Sequence, residues 1–358
     1  MPVPFPFTTP PQRVCILRLS AIGDTCHVVP LLHRLQQAWP QTHFTWVIGR
    51  IEARLMSLLP GVEFITVDKR ADRAAKAALR RALGATPFDL LLHLQVSLRA
   101  SLLSRHIRAT VKLGFDRARA RELQWLFTNQ RVPARQREHV LDSFQGFADA
   151  LGVAPAPLQM QLPLPAAARE YARSLIPDGV ATLVVSPCSS HVFRNWRAER
   201  YAAVIDHAQR ALGLRVILCG GPAPLERQMG EAIEAAAQTS LVNLIGKDSL
   251  PQLLALLERA TVLVSPDSGP AHLGTLAGVP VVGLYAATNP ARSGPYLSRQ
   301  WCVDRYEAAA RTFLGKSAAA LPWTCKIERE GVTDLIGVAD VVERLEALAA
   351  AGLLKSRA

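Results

Sequence analysis

The chain has 358 residues, too many for one ordinary core; two domains of roughly 150–180 residues each suit that length. Apolar residues make up 49% and charged residues 20%, which excludes extensive disorder, and no window reaches the ~18–20 apolar residues of a membrane span. The net charge of +12 is unevenly spread: from Lys69 to Arg137 basic residues far outnumber acids. Such a stretch suits a polyanionic partner (nucleic acid, an anionic membrane surface or a phosphorylated glycolipid) or is a solvated face with no partner.

The N-terminus, MPVPFPFTTPPQ, is Pro-rich and has neither a basic n-region nor an apolar core, so it reads as an irregular lead-in and not as a signal peptide. Val14–Leu19 is a β-prone run ending in Ser20-Ala21-Ile22-Gly23-Asp24, and an amphipathic helix follows over Val28–Ala38. Strands are predicted at Phe44–Ile48, Phe64–Val67, Phe88–Leu94 and Val111–Phe115, with a basic helix around Leu79–Leu83. Pro and Ala cluster at 154–157, and Pro163-Leu164-Pro165 follows, marking a linker. The pattern then restarts. Strands are predicted at Thr182–Ser186, Arg215–Leu218, Leu241–Leu244, Thr261–Val264 and Pro280–Leu284; helices at Ala198–Leu212, from Leu225, at Leu250–Arg259 and in a tail over Val338–Leu353. This strand–helix alternation implies two Rossmann-like α/β domains, residues 1–160 and 161–335, with a helical tail over 336–358. The six cysteines are scattered, without a C-x-x-C pair or zinc spacing, and read as reduced thiols.

Four loops after predicted strands carry candidate chemistry. In the first, Gly23 suits a tight turn, and Asp24, at or just before a helix start, is either an N-cap or a general base. In the second, Pro187–Trp196, the hydroxyls of Ser189 and Ser190 and the fork of Arg194 suit a diphosphate; a solvated arginine on a surface loop is the other reading. The third, Gly220-Gly221-Pro222-Ala223-Pro224-Leu225-Glu226, suits close approach of a base or ribose but matches neither the P-loop nor the dinucleotide fingerprint. The fourth, Pro266–Leu273, opens a helix. There Asp267 and Ser268 take cap-like positions, Gly269 exposes helix N-terminal amides, and His272 lies one turn on. A plain N-cap with an interior histidine would give the same sequence.

Together these loops resemble glycosyltransferase family 9, the ADP-heptose:lipopolysaccharide heptosyltransferases, most nearly the heptosyltransferase I type. The likeness lies in LRLSAIGDTCHVVP at 17–30, SPCSSHVFRNW at 186–196, LCGGPAPLE at 218–226 and SPDSGPAHLGTLAGVPVVGLYAATNPARSGPY at 265–296. The last is the most specific, similar to the family's D-[ST]-G-x-x-H-L block followed by its sugar-side loop. Two departures stand out. Arginine occupies position 194, where lysine is more usual in the family, and YAATN at 285–289 replaces F/Y-G-P-T-D.

The resemblance implies the GT-B fold, two Rossmann-like domains facing across a cleft, and an inverting transfer of heptose from ADP-heptose without metal or other cofactor. No Asp-x-Asp motif stands in a donor loop. It makes Asp24 the base and Arg194 the diphosphate partner. Ser189, Ser190, Gly221, Glu226, Asp267, Ser268, Gly269 and His272 become donor ligands. Lys69, Arg70, Arg73, Arg99, Arg105 and Arg119 would hold an anionic Kdo–lipid A acceptor at the cytoplasmic face of the inner membrane. Other readings are a GT-B enzyme using another nucleotide sugar or a later core-heptose acceptor, and a non-catalytic nucleotide-sugar-binding regulator. A nucleic-acid binder lacks a helix-turn-helix, zinc finger or stacking platform in this sequence.

Overall fold

The computed structural model describes residue 7, residues 9–68 and residues 73–357, the side chains of residues 73–76 excepted. Lys69 and Arg70, two of the expected acceptor ligands, lie outside the described residues, as does the side chain of Arg73 and most of the N-terminal lead-in. The chain divides into two compact units, Met1–Pro163 and Leu164–Ala358.

The first unit runs β1 (Arg13–Leu17), α1 (Ile22–Cys26), α2 (Val28–Ala38), β2 (His43–Gly49), α3 (Arg50–Met56), β3 (Val62–Val67), α4 (Arg73–Leu83), β4 (Phe88–His93), α5 (Leu98–Ser104), β5 (Ala109–Gly114), β6 (Gln130–Arg131) and α6 (Val140–Ala150). All strand pairs are parallel, in the order β3-β2-β1-β4-β5-β6. Helices cover both faces of such a sheet, so its strands are buried on both sides and lose the polar alternation of a half-exposed strand. Val14, Ile16, Leu17, Leu90, Leu91 and Leu92 accordingly have no exposed surface. Each fully buried Val, Leu or Ile contributes about 1.5–3 kcal/mol relative to leaving it in water.

The second unit runs α7 (Ala166–Leu175), β7 (Thr182–Val185), α8 (Ala198–Arg210), β8 (Arg215–Leu218), α9 (Pro224–Ala236), β9 (Val242–Asn243), α10 (Leu250–Arg259), β10 (Val262–Pro266), α11 (Gly269–Ala277), β11 (Val281–Tyr285), α12 (Pro290–Ser293), β12 (Val303–Asp304), α13 (Tyr306–Leu314) and α14 (Val338–Ala350). Its sheet, β12-β11-β10-β7-β8-β9, is again all parallel. Counted within each unit, both sheets read 3-2-1-4-5-6, the doubly wound order whose direction reverses between strands 1 and 4. Ligands in such sheets bind beyond the strands' carboxyl ends at that reversal.

The C-terminal boundary differs from the sequence expectation. Helix α14 is no separate tail: Val341, Leu345 and Leu348 are fully buried in the core of the second unit, because the helix lays one apolar face on α8. The Pro-rich linker is irregular as expected, but its start is tied down. The buried guanidinium of Arg34 donates to the carbonyls of Val153 (2.5 Å) and Ala154 (3.0 Å) and to Asp149 (2.8 Å).

Candidate functional site

In the second unit the reversal falls between β7 and β10, so the loops after these strands meet. The loop after β7 is pinned by large side chains. Trp196, almost fully buried, donates from Nε1 to the Ile336 carbonyl (3.0 Å), and the Tyr201 hydroxyl donates to the Pro187 carbonyl (3.1 Å). These anchors present Arg194 to Asp267, which follows β10: Arg194 Nη1 lies 3.1 Å from Asp267 Oδ2. The other side of the same guanidinium grips Glu328, with Nε 3.2 Å and Nη2 2.8 Å from Oε1. Glu328 is held there because Ile327 N–H donates to the Ala287 carbonyl at 2.7 Å, bringing the 326–328 segment beside the YAATN loop.

This group has a definite charge balance. Arg194 and Asp267 side chains are only 10% exposed, so their charges interact in a poorly screened setting. Partial burial disfavours the charged form of Glu328, but the hydrogen bonds and charge of Arg194 outweigh it and hold the carboxyl below its ordinary range. His191 Nδ1 stands 3.6 Å from Glu328 Oε1. Burial, then the positive charge of Arg194, push its imidazole below the usual range and favour the neutral ring. The ring of His272, one turn into α11, points back so that Nε2 is 3.9 Å from Asp267 Oδ1. Arginine has five N–H donors, and part of that capacity remains for an anion after the two carboxylates are served.

The other donor candidates fall as follows. Ser268 takes the N-cap position of α11, but its hydroxyl bonds Ser265 Oγ (2.9 Å) and leaves the helix amides uncapped. Gly269 is the first helical residue, followed by Pro270, which has no N–H to lose in the first turn. Ser189 is buried and its Oγ accepts from His191 N–H (3.3 Å), whereas Ser190 is exposed. Glu226, in the first turn of α9, folds back and accepts from Gly221 N–H (2.5 Å). A Cβ at Gly221 would lie 2.6 Å from Glu226 Oε1 and one at Gly220 2.9 Å from Oε2, so a side chain at either position would push the Glu226 carboxylate out of that brace. Sequence reasoning missed Glu328 and its neighbour Lys326, whose charge reaches both His191 and Glu328. The segment around them carries no motif; the bond to Ala287, the burial of Ile327 in the core and the Tyr306 hydroxyl donating to the Cys325 carbonyl (3.0 Å) place it.

In the first unit, Asp24 lies in the first turn of α1, not at its cap; the N-cap is Ala21, which has no side chain to do that work. Gly23 is helical and does not take the positive φ of a tight turn. The Asp24 carboxylate, 37% exposed, pairs with the nearly buried guanidinium of Arg18, which is itself held by the Leu94 carbonyl (2.8 Å) after β4. Gln95 Oε1 accepts from Leu19 N–H (2.6 Å) and ties the two loops at the β1/β4 reversal.

The basic stretch is not one surface. Arg119 is committed to Asp116, to Glu138 (2.6 Å) and to the Pro133 carbonyl (2.8 Å), so its charge is spent inside the unit and it is not an open acceptor ligand. Arg105 lines a groove of about 490 Å³ with Arg80, Arg81, Phe88, His106 and Arg108. Phe88 opens β4 and Arg108 immediately precedes β5, so this groove lies at the amino ends of the strands. The six-residue β4 places it about 20 Å from the carboxyl-end loops that hold Asp24, too far for Arg105 to grip the reacting sugar. Arg99, exposed in the first turn of α5, is on the carboxyl-end side.

The family model for glycosyltransferase family 9 (heptosyltransferase) matches residues 76–320. The lipopolysaccharide core heptosyltransferase OpsX of Haemophilus influenzae is 38% identical over 342 residues, 96% of this chain and 98% of that protein. The chain belongs to glycosyltransferase family 9. Among solved structures, a family 9 glycosyltransferase from Veillonella parvula superposes with a TM-score of 0.78 at 25% identity, covering 95% of this chain and 97% of that one. The Escherichia coli heptosyltransferase WaaC with ADP-2-deoxy-2-fluoro heptose does so with a TM-score of 0.66 at 27% identity, covering 78% and 90%. A family 9 chain with two doubly wound units has the GT-B fold and is a glycosyltransferase.

Proposed function

We propose that this enzyme transfers heptose from ADP-heptose, with inversion and without metal, to the Kdo–lipid A inner core of lipopolysaccharide, working against the cytoplasmic face of the inner membrane. The observation that carries the reading is the Arg194–Asp267–Glu328 group at the β7/β10 reversal of a family 9 chain. A fixed guanidinium beside an uncapped helix N-terminus is what a diphosphate needs. The relatives' names and the WaaC ligand support the donor and the lipopolysaccharide core. Among the described residues no helix is long and apolar enough to cross a membrane.

In this reading the diphosphate lies against Arg194, the backbone amides around Gly269 and the loop of Ser189 and Ser190. Asp267 and Glu328 keep the guanidinium from swinging away, so its position is set before the leaving group gains charge. Gly220 and Gly221, braced by Glu226, border the nucleoside. Asp24 takes the proton of the acceptor hydroxyl as it attacks the anomeric carbon; the C–O bond to ADP breaks, and ADP leaves with the bonding electrons. Arg18 orients the Asp24 carboxylate, and Arg99 meets acceptor anions.

The test is ADP release by the purified protein with ADP-heptose and Kdo–lipid A in EDTA. Acceptor-dependent release in EDTA supports the reading. Release only after added metal removes the metal-independent mechanism, and binding of ADP-heptose without release removes this acceptor.

A further inference from the structure

The helix α5 is inside out for half of its apolar residues. Ala100 and Leu103 face the core, but Leu98 and Leu102, four apart and so on one face, are 43% and 47% exposed. Beside them lies the segment 122–127: Glu122 caps Leu98 N–H at 2.7 Å, and Leu126 and Phe127 share a depression of about 430 Å³ with Arg105 at the other end of the helix. That segment adds Leu123, 51% exposed and held at φ 62°, and Leu126, 59% exposed. Four exposed leucines thus form one patch that the folding of the unit does not bury. An apolar patch of this kind marks an interaction surface.

Its surroundings select the partner. From Arg73 to Arg131 there are twelve Lys and Arg against three acids. Each acid is already engaged: Asp89 by the amides of Gln12 and Arg13, Asp116 by Arg119, and Glu122 by Leu98. Arg81, Arg105, Arg108 and Arg121 have no ion pair among the described residues. Trp125 lies in the same segment, with the Arg117 guanidinium 4.7 Å above its ring. Leucines that enter an acyl layer, a tryptophan at headgroup depth and arginines for lipid phosphates are the three parts of an interfacial anchor.

We propose that the outer face of α5 with the 122–127 segment docks on an anionic lipid bilayer, with lipid phosphates taken into the Arg81–Arg105–Arg108 groove. The inference deepens the proposed function, which places the acceptor in a membrane, and it gives the amino-end arginines a partner other than the reacting sugar.

Flotation of the full chain with phosphatidylethanolamine–phosphatidylglycerol vesicles, against phosphatidylcholine vesicles, tests it without lipopolysaccharide. The expected result is binding to the anionic vesicles alone, weakened by salt, and reduced about ten-fold or more both by Leu102→Glu/Leu126→Glu and by Arg105→Glu/Arg108→Glu. The leucine double variant is expected to keep the wild-type melting temperature and ADP affinity. Wild-type binding that survives the leucine changes but not the arginine changes would make the surface a simple polyanion site and overturn the proposal. So would a dimer in lipid-free buffer that the leucine changes dissociate, or equal binding to neutral vesicles. Loss of heptose transfer with flotation intact would instead count against the proposed function alone.

Discussion

Arg194 donates twice to a single oxygen of Glu328, from Nε at 3.2 Å and Nη2 at 2.8 Å, across 134 residues of sequence. The remaining nitrogen, Nη1, meets Asp267 at 3.1 Å. The side chain matched to a phosphate partner is therefore also the tie between three separate loops.

Removing that tie has two measurable consequences. Arg194→Ala leaves two partly buried carboxylates facing each other and is expected to lower folding stability by about 3 kcal/mol, read by denaturant unfolding. Adding Glu328→Gln should return part of that stability while ADP binding by calorimetry stays weak. Equal stability of Arg194→Ala and the wild type would show that the ion group contributes nothing to the fold.

Asp24→Asn keeps the shape of the side chain and removes its basicity. Turnover is expected to fall by about 10²–10⁴-fold with ADP affinity nearly unchanged. A parallel loss of both would assign Asp24 to the Arg18 ion pair as a structural residue instead of a base.

His93, at the end of β4, has no exposed surface, and Gln124 Nε2 lies 3.0 Å from its Nδ1. Burial, aided by the charges of Lys112 and Arg18 and opposed by a backbone hydrogen bond, pushes its pKa down to about 4. The folded state then binds the proton less readily than the unfolded state, whose histidine titrates near 6.5. Stability is full above that value and falls as the pH drops towards 4. Between pH 7 and pH 5 the expected loss is about 2 kcal/mol. His93→Gln should remove this part of the dependence in thermal melts at the two pH values; an unchanged slope would locate it elsewhere.

Gly274 sets how closely α11 approaches the sheet. A Cβ there would lie 2.6 Å from Val281 Cγ2 and 2.9 Å from Leu263 Cδ2. Gly274→Val is expected to cost about 1–3 kcal/mol by overpacking. Because Gly269 and His272 ride on the same helix, it should also weaken ADP binding, and calorimetry on the folded variant checks that coupling.

The sequence by itself determined the alternation of strands and helices and the restart after the Pro-rich linker. These are short-range signals. A strand buried on both faces is a continuous apolar run, as in LLL at 90–92 or TLVV at 182–185, and the helix over Leu250–Arg259 agrees residue for residue. Tertiary structure alone decided which charges are open and which are spent. Arg105 and Arg119 look alike in a basic run, yet one lines a groove at the amino ends of the strands and the other is neutralised by Asp116 and Glu138. Glu328 has no motif, and the bond from Ile327 to Ala287 carries it to Arg194. Apolar periodicity is written within a turn or a strand, whereas compensation of a charge depends on partners that only the folded chain brings within a few ångströms.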